Sequence, residues 1–283
     1  MTAGEGVART AERLEAAGCT SPRVDAEILV SHVLGVSRSA LRATRARELT
    51  ADEGAQLERL VARRERREPL AYVLGEWGFR RLTLGVDARV LVPRQETEVV
   101  VERCLALLVG LRAPRVLDVG TGSGAIALAI ADEHPGASVT GLDASPDALE
   151  VARANVRRTG LAVDLVEWDL FSGLPDGPWD LVVSNPPYVR HSEITSLEPE
   201  VREWEPRRAL VGEGATEAVV RAAGHALRPG GAVVLEVADG GAFQVAELLH
   251  ALGFVEVVTT RDLSGRERVV EGVTTPVDRR DIR

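Results

Sequence analysis

Residues 116–128 read VLDVGTGSGAIAL, and this stretch decides the fold. An apolar run typical of a buried strand leads into glycines at 120, 122 and 124, and Ala125 then begins a helical pattern. Glycine lets the backbone approach a ligand closely, and the amino-terminal end of a helix favours a negative group. The stretch therefore predicts a strand, a ligand-binding turn and a helix, although the same letters also fit the loose dinucleotide fingerprint G-x-G-x-x-A.

Short apolar runs alternate with helical patterns on the carboxyl-terminal side of this stretch. Seven strands are predicted, at residues 115–119, 138–143, 162–168, 180–184, 232–237, 255–260 and 268–273. Such alternation is typical of an α/β protein with a mainly parallel, doubly wound, Rossmann-like sheet. Because the last run follows the previous one at a short distance, we expect it to form an antiparallel edge strand.

The part of the chain before this sheet shows helical spacing without strands. Thr50 and Glu53 form a capping box, and Pro69 interrupts the helical pattern. We expect three parts: a small helical bundle domain at residues 1–68, a β-hairpin linker at residues 69–92, and the sheet domain at residues 93–283, which ends in a polar tail from residue 274. The basic run at residues 63–67 alternates with glutamates, which is typical of a solvated helix face.

Composition excludes several classes of protein. The formal net charge is −9, from 34 Lys and Arg against 43 Asp and Glu, so we expect no DNA binding. The two cysteines, Cys19 and Cys104, fit no metal or redox motif, and we expect no metal and a reducing, cytoplasmic location. No uncharged apolar stretch of about 18 residues occurs, so we expect no membrane span and no secretion. A monomer is expected.

Acidic residues follow the second and third predicted strands of the sheet. Asp143 ends the second strand, where a carboxylate can accept hydrogen bonds from the ribose hydroxyls of NAD or of S-adenosylmethionine equally. Asp169 follows the third strand, where it could accept from an adenine amino group while Leu170 or Phe171 packs on the ring. A capping role for Asp169 is an equal alternative.

The fourth strand leads into Asn185-Pro186-Pro187-Tyr188, which decides the chemistry. A planar NH2 group is a poor nucleophile because its lone pair is delocalised. The Asn185 side-chain oxygen and the Pro186 carbonyl could hold its two hydrogens and orient the nitrogen, while Tyr188 walls the pocket. The alternative is a simple turn, since these residues are common turn formers. If the ligand is S-adenosylmethionine, these four residues by themselves allow the methylated group to be an adenine, an amide or an amine.

The chain resembles the bacterial release factor glutamine methyltransferase family over nearly its whole length. The segments that carry the resemblance are Pro22-Arg23-Val24-Asp25-Ala26-Glu27, Glu68-Pro69-Leu70-Ala71-Tyr72, Leu74-Gly75, Pro93-Arg94-Gln95-Glu96-Thr97-Glu98, Asp118 to Gly124, Ser184 to Tyr188, Glu205-Pro206-Arg207 and Arg228-Pro229-Gly230-Gly231. So many segments in order are more specific than any single motif. The chain departs from the family pattern at Leu170, at residues 208–213 and at residues 238–241.

The resemblance implies a class I methyltransferase fold and a methyl transfer from S-adenosylmethionine, leaving S-adenosylhomocysteine. The acceptor would be the side-chain amide nitrogen of the glutamine in the Gly-Gly-Gln motif of peptide chain release factors, which modulates translation termination. The implied cofactor-binding residues are Gly120, Thr121, Gly122, Ser123, Gly124, Asp143, Asp169, Leu170 and Asn185. The implied substrate-binding residues are Arg94, Thr97, Asn185, Pro186, Pro187 and Tyr188, of which Asn185, Pro186 and Tyr188 would be catalytic. The helical domain would help to dock the release factor.

Other functions remain open at this point. Within the same chemistry, the acceptor could be a glutamine of a large-subunit ribosomal protein or a small metabolite with an amide or amine. A DNA adenine methyltransferase shares the Asn-Pro-Pro-Tyr logic, but this acidic chain lacks an evident basic recognition region. An inactive binder of release factor or ribosome and a dehydrogenase are the alternatives from other classes.

Overall fold

The computed structural model of the protein describes residues 1–276, so most of the predicted polar tail lies outside the described residues. The chain divides into two compact units. One contains Met1–Glu76 together with Leu197–Trp204, and the other contains Trp77–Ser196 together with residues 205–276. No helix in the described part of the chain is both long enough and apolar enough to span a membrane.

Five helices form the first part of the helical unit. They are α1 (Ala3–Ala16), α2 (Pro22–Leu34), α3 (Arg38–Leu41), α4 (Ala51–Glu65) and α5 (Leu70–Leu74). The predicted capping box is present at α4: the Thr50 side chain accepts from the Glu53 N–H, and the Glu53 side chain accepts from the Thr50 N–H. Buried apolar side chains from α1, α2 and α4, including Leu14, Leu29 and Leu57, form one core. A helical bundle is therefore confirmed.

A sixth helix of this unit comes from a distant part of the sequence. The helix α9 (Pro199–Trp204) brings Glu200 to two arginines of the helical unit. Arg64 donates to Glu200 at 2.8 Å and to Asp25 at 2.8 Å, and Arg67 donates to Glu200 at 2.6 Å. The prediction of a solvated face for residues 63–67 was wrong for Arg64, whose side chain is only 6% exposed. This cluster satisfies its buried charges by pairing them.

The segment between the helical bundle and the sheet differs from its predicted extent. A hairpin forms, but only from β1 (Glu76–Phe79) and β2 (Leu82–Gly85). Pro69 begins α5 rather than ending the helical region, because a proline at the start of a helix needs no N–H partner. The helical unit consequently continues beyond residue 68, to Glu76.

A seven-stranded sheet forms the centre of the second unit. Its strands are β3 (Arg115–Val119), β4 (Ser138–Asp143), β5 (Val163–Glu167), β6 (Trp179–Ser184), β7 (Leu227–Glu236), β8 (Val255–Arg261) and β9 (Glu267–Val273), in the spatial order β5-β4-β3-β6-β7-β9-β8. The first five are parallel, and β9 pairs antiparallel with both neighbours. The doubly wound fold is confirmed.

The predicted position of the last strand was wrong. We expected residues 268–273 at the edge, but β9 lies between β7 and β8, and β8 forms the edge. Burial explains this order, because the interior of β9 is buried on both faces whereas most of β8 is exposed. The continuous apolar pair Val269-Val270 suits an interior strand better than the more polar sequence of β8 does.

Helices cover both faces of the sheet. They are α6 (Thr97–Leu107), α7 (Ala125–Glu133), α8 (Pro146–Thr159), α10 (Arg207–Leu210), α11 (Ala215–Ala226) and α12 (Ala242–Ala251). Neighbouring residues of β3 point to opposite faces: Val116 belongs to one buried apolar cluster and Leu117 to the other. The carboxyl ends of β3, β4 and β6 therefore meet at one edge, where doubly wound proteins bind ligands.

Candidate active site

A cleft with a cavity volume of about 280 Å³ lies at this edge of the sheet. Most of the residues predicted from the sequence line it. They are Arg94, Thr97, Gly120, Thr121, Gly122, Ser123, Asp143, Asp169, Leu170, Asn185, Pro186 and Pro187. Two predicted residues do not line it: Gly124 is the N-cap of α7, and Tyr188 borders a neighbouring cavity with Arg190 and Gln244.

The glycine turn is held in place by the strand beside it. The N–H groups of Gly120 and Thr121 both donate to the Leu142 carbonyl at 2.8 Å. Gly124 has a positive φ of 82°, and a Cβ there would lie 3.2 Å from the Leu128 side chain, so the last turn position specifically suits glycine. The turn therefore presents a fixed backbone to the cleft.

Asp118, a buried residue of β3, also holds the same turn in place. Its Oδ2 accepts from the Thr121 hydroxyl at 2.6 Å and from the Ala127 N–H at 3.2 Å, while Oδ1 has no hydrogen-bond partner. Burial raises the pKa of Asp118 to about 7. No role was predicted for this residue from the sequence, although a carboxylate inside an apolar strand is a visible signal.

Asp143 is positioned by two backbone groups. Its Oδ2 accepts from the Gly122 N–H and its Oδ1 from the Ser145 N–H, both at 2.9 Å. Burial raises the pKa of this carboxyl group. Each carboxylate oxygen can accept more than one hydrogen bond. Asp143 can therefore still accept from the two hydroxyls of a ribose in the cleft.

Asp169 both caps a turn and borders the cleft. Its Oδ1 accepts from the Phe171 N–H at 3.0 Å, which caps the 3₁₀ helix Leu170–Ser172. The two roles that the sequence left open are thus compatible in one residue. Leu170 lines the cleft together with Trp168, an aromatic side chain to which the sequence analysis gave no role.

Asn185 is joined through Thr97 to a hydrogen-bonded network that also contains Glu236 and Tyr188. The Asn185 Nδ2 donates to the Thr97 hydroxyl at 3.4 Å, and that hydroxyl donates to Glu236 Oε2 at 2.6 Å. The Tyr188 hydroxyl donates to the other Glu236 oxygen at 3.5 Å. Burial, with Glu236 nearby, raises the pKa of Tyr188 to about 12, and burial also raises the pKa of Glu236.

This network leaves one acceptor of Asn185 available. Within the described residues, its Oδ1 accepts no hydrogen bond, whereas its Nδ2 is engaged. The carbonyl of the following Pro186 likewise accepts no hydrogen bond within the described residues. The loop at residues 185–188 therefore combines a fixed side-chain acceptor with a backbone carbonyl, as expected for holding a planar NH2 group.

The segment after α9 packs beside this loop. Glu205 accepts two hydrogen bonds from Arg94, at 2.8 and 2.7 Å, so the predicted substrate-binding arginine is already paired. Arg208 also lines the cleft, and its charge lowers the pKa of Asp143 against the larger, opposite effect of burial. Gly212 lies so close to Pro187 that the proline leaves no room for a side chain there. Neither Arg208 nor Gly212 was assigned a role from the sequence.

The cleft favours orientation over acid–base chemistry. No His, Cys or Lys side chain lines it, and no group of three or more His, Cys, Asp or Glu within residues 1–276 could hold a metal ion. The cleft combines a carboxylate, Asp143, with two candidate acceptors, the Asn185 side-chain oxygen and the Pro186 carbonyl. These features fit an adenosine-containing methyl donor better than a nicotinamide dinucleotide, because residues 185–188 have no role in hydride transfer.

Known proteins resemble the chain along nearly its whole length. Residues 5–75 match the PrmC N-terminal domain, and residues 97–200 match the methyltransferase small domain. The release factor glutamine methyltransferase of Geobacter sulfurreducens is 42% identical over 262 residues, which is 90% of each chain. That of Caulobacter vibrioides is 40% identical over 273 residues, or 94% of each chain. The crystal structure of a Pyrococcus furiosus methyltransferase, 20% identical, covers 80% of this chain and 100% of its own with a TM-score of 0.52, so it shares the fold.

Proposed function

The chain belongs to the release factor glutamine methyltransferase family, and from this premise we propose which substrate it methylates and which residues act. It transfers a methyl group from S-adenosylmethionine to the side-chain amide nitrogen of the glutamine in the Gly-Gly-Gln motif of peptide chain release factors. The observation that carries this proposal is the free Oδ1 of Asn185, which lines the cleft together with the next residue, Pro186.

The cofactor fits the part of the cleft built by β3 and β4. The 120–124 turn would border its methionine part, and Asp143 would accept from both ribose hydroxyls. Asp169 would accept from the adenine amino group, with Leu170 and Trp168 against the ring. When bound, S-adenosylmethionine supplies an electron-poor methyl group and is released as S-adenosylhomocysteine.

The residues of the 185–188 loop would make the glutamine amide reactive by holding it. Asn185 Oδ1 and the Pro186 carbonyl accept its two hydrogens, which fixes the nitrogen and orients its lone pair. Both acceptors also stabilise the positive charge that grows on nitrogen as the new bond forms. Pro187 would complete the wall of the site, and Tyr188 would support it from the neighbouring cavity through its hydrogen bond to Glu236. The nitrogen finally loses one proton to water, because no His, Cys or Lys side chain lines the cleft and its two carboxylates, Asp143 and Asp169, are assigned to the cofactor.

The helical unit would dock the release factor, and the enzyme would act as a cytoplasmic monomer. The helical unit matches a different family model from the sheet domain, and this supports a separate function for residues 5–75. We call the two acceptors, Asn185 Oδ1 and the Pro186 carbonyl, the amide clamp. A glutamine of a large-subunit ribosomal protein remains the second candidate substrate, because the same amide clamp would suit it.

A substrate assay tests the proposal. The purified chain is incubated with S-adenosylmethionine and purified release factor. The mass of the tryptic peptide that contains Gly-Gly-Gln is then measured by mass spectrometry. We expect the mass of one added methyl group on the glutamine. A release factor with glutamate in place of that glutamine is the matched control and should gain no mass. Methylation of ribosomal proteins without methylation of release factor would overturn the assignment of the substrate.

A further inference from the structure

Glu236, at the end of β7, is a buried carboxylate that no role described so far requires. It is only 2% exposed, and its two oxygens face the hydroxyls of Thr97 and Tyr188. Burying a carboxylate is costly, so its position calls for partners that offset the cost. Both of the hydroxyls that it binds belong to residues around the amide clamp.

The chemistry of Glu236 determines the direction of the hydrogen bonds around it. A carboxylate oxygen without a proton can only accept, and Glu236 Oε2 accepts the single hydrogen of the Thr97 hydroxyl at 2.6 Å. Towards Asn185 the hydroxyl then offers only a lone pair. That lone pair can accept from the Asn185 NH2, and it would repel the Asn185 oxygen.

The orientation of the Asn185 amide decides whether the clamp works. With its NH2 on Thr97, Asn185 presents Oδ1, an acceptor, at its other end. If the amide turned over, Asn185 would present two N–H donors to a substrate NH2 that also donates. The geometry of asparagine is nearly symmetrical, so an outside group must select between the two orientations.

We propose that Glu236 is a positioning residue that acts through Thr97 to hold the Asn185 oxygen towards the substrate amide. The inference rests on the proposed function, since it assigns a supporting group to the same clamp. It distinguishes Glu236 from a residue that merely fills the end of β7. If Glu236 only filled space, glutamine, which has nearly the same shape, could replace it without loss of activity.

Substitutions at both ends of the contact test this role. Glu236→Gln has only one accepting oxygen for two hydroxyls, and Thr97→Val removes the hydroxyl at nearly constant volume. We expect each to lower kcat roughly 10- to 100-fold, because a misplacement of about 1 Å at a reacting group can lower the rate about 100-fold. Affinity for S-adenosylmethionine, measured by calorimetry, should stay unchanged. Thr97→Ser, which keeps the hydroxyl, is the matched control and should retain most of kcat.

The double variant separates positioning from general damage. If Glu236 acts through Thr97, adding Glu236→Gln to Thr97→Val should cause little further loss of kcat. If the fold-loss of kcat in the double variant instead equals the product of the fold-losses in the two single variants, the proposal is overturned. A wild-type kcat in folded Glu236→Gln would overturn it as well.

A spectroscopic measurement decides the same question without turnover. The side-chain NH2 resonances of Asn185 are identified by their absence in Asn185→Ala. We expect them to shift in Glu236→Gln and in Thr97→Val but to stay in place in Thr97→Ser. Unshifted resonances in the first two variants would refute the role of Glu236. If the wild-type protein methylates no release factor, the proposed function fails, and this measurement still decides the inference.

Discussion

Replacing Gly212 by alanine should displace the amide clamp without changing any polar group. A Cβ at Gly212 would lie 2.8 Å from both the Cβ and the carbonyl oxygen of Pro187, and it would approach the Pro187 Cγ still more closely. Ordinary van der Waals contact begins at 3.4 Å, so the two segments must separate by more than half an ångström. Pro187 is joined to Pro186 in a stiff proline pair, which passes the shift to the acceptors. A misplacement of about 1 Å at a reacting group can lower the rate about 100-fold, so we expect kcat to fall about 10- to 100-fold.

Steady-state kinetics with release factor would measure this effect. The same overpacking should lower the free energy of unfolding by about 1–3 kcal/mol, which a thermal melt would record. Gly78→Ala is the matched control, because a Cβ there meets no atom within 4 Å and the backbone has no positive φ. It should leave kcat and the melting temperature unchanged. If Gly212→Ala folds and keeps the wild-type kcat, the view that Pro187 transmits position to the clamp is wrong.

Three further predictions concern the clamp, a buried acid and the ion cluster. Asn185→Ala should keep the affinity for S-adenosylmethionine but lower kcat about 100- to 1,000-fold, and equal losses of both would contradict the role of the amide oxygen. The pKa of Asp118 is raised from 3.8 to about 7, so the folded state binds its proton more tightly than the unfolded state does. This group therefore makes folding less favourable as pH rises from about 4 to about 7, by on the order of 4 kcal/mol, and Asp118→Asn should flatten the fall of the melting temperature over that range. Arg64→Ala would leave Asp25 and Glu200 buried with less compensation, so denaturant unfolding should show a loss of about 3–5 kcal/mol. An exposed arginine such as Arg9 should tolerate the same change.

Hydrophobic spacing sufficed to predict the elements of the sheet but not their order. Six of the seven strands were predicted to within one residue of their observed bounds, because each is a short apolar run bordered by glycine, proline or polar residues. The exception is β7, which begins at Leu227, five residues before its predicted start. Which strand of the β8–β9 hairpin pairs with β7 depends on contacts between distant residues. Glu271 of β9, for example, is buried against Arg103 of α6 at 2.6 Å, and no local pattern contains that pairing.

The residues of the candidate site also fall into those that could be predicted from the sequence and those that could not. Gly120, Asp143 and Asn185 could be found from the sequence because each follows a predicted parallel strand, and such strand ends meet at one edge. The supporting residues could not. Glu236 is far from Thr97 in sequence and looks like an ordinary strand-end charge, and Gly212 resembles any loop glycine until its distance from Pro187 is measured. Roles that depend on long-range contact leave little trace in local sequence.

The position of β9 also constrains the order in which the protein can be completed during synthesis. β9 is the last strand of the described residues, yet it lies between β7 and β8. While residues 267–273 are still inside the ribosome, β7 lacks a neighbour on one side and β8 has nothing to pair with. A growing chain therefore has to keep an open sheet edge until those residues emerge. A chain that terminates early, before Glu267, would keep that open edge permanently and be prone to aggregate through it.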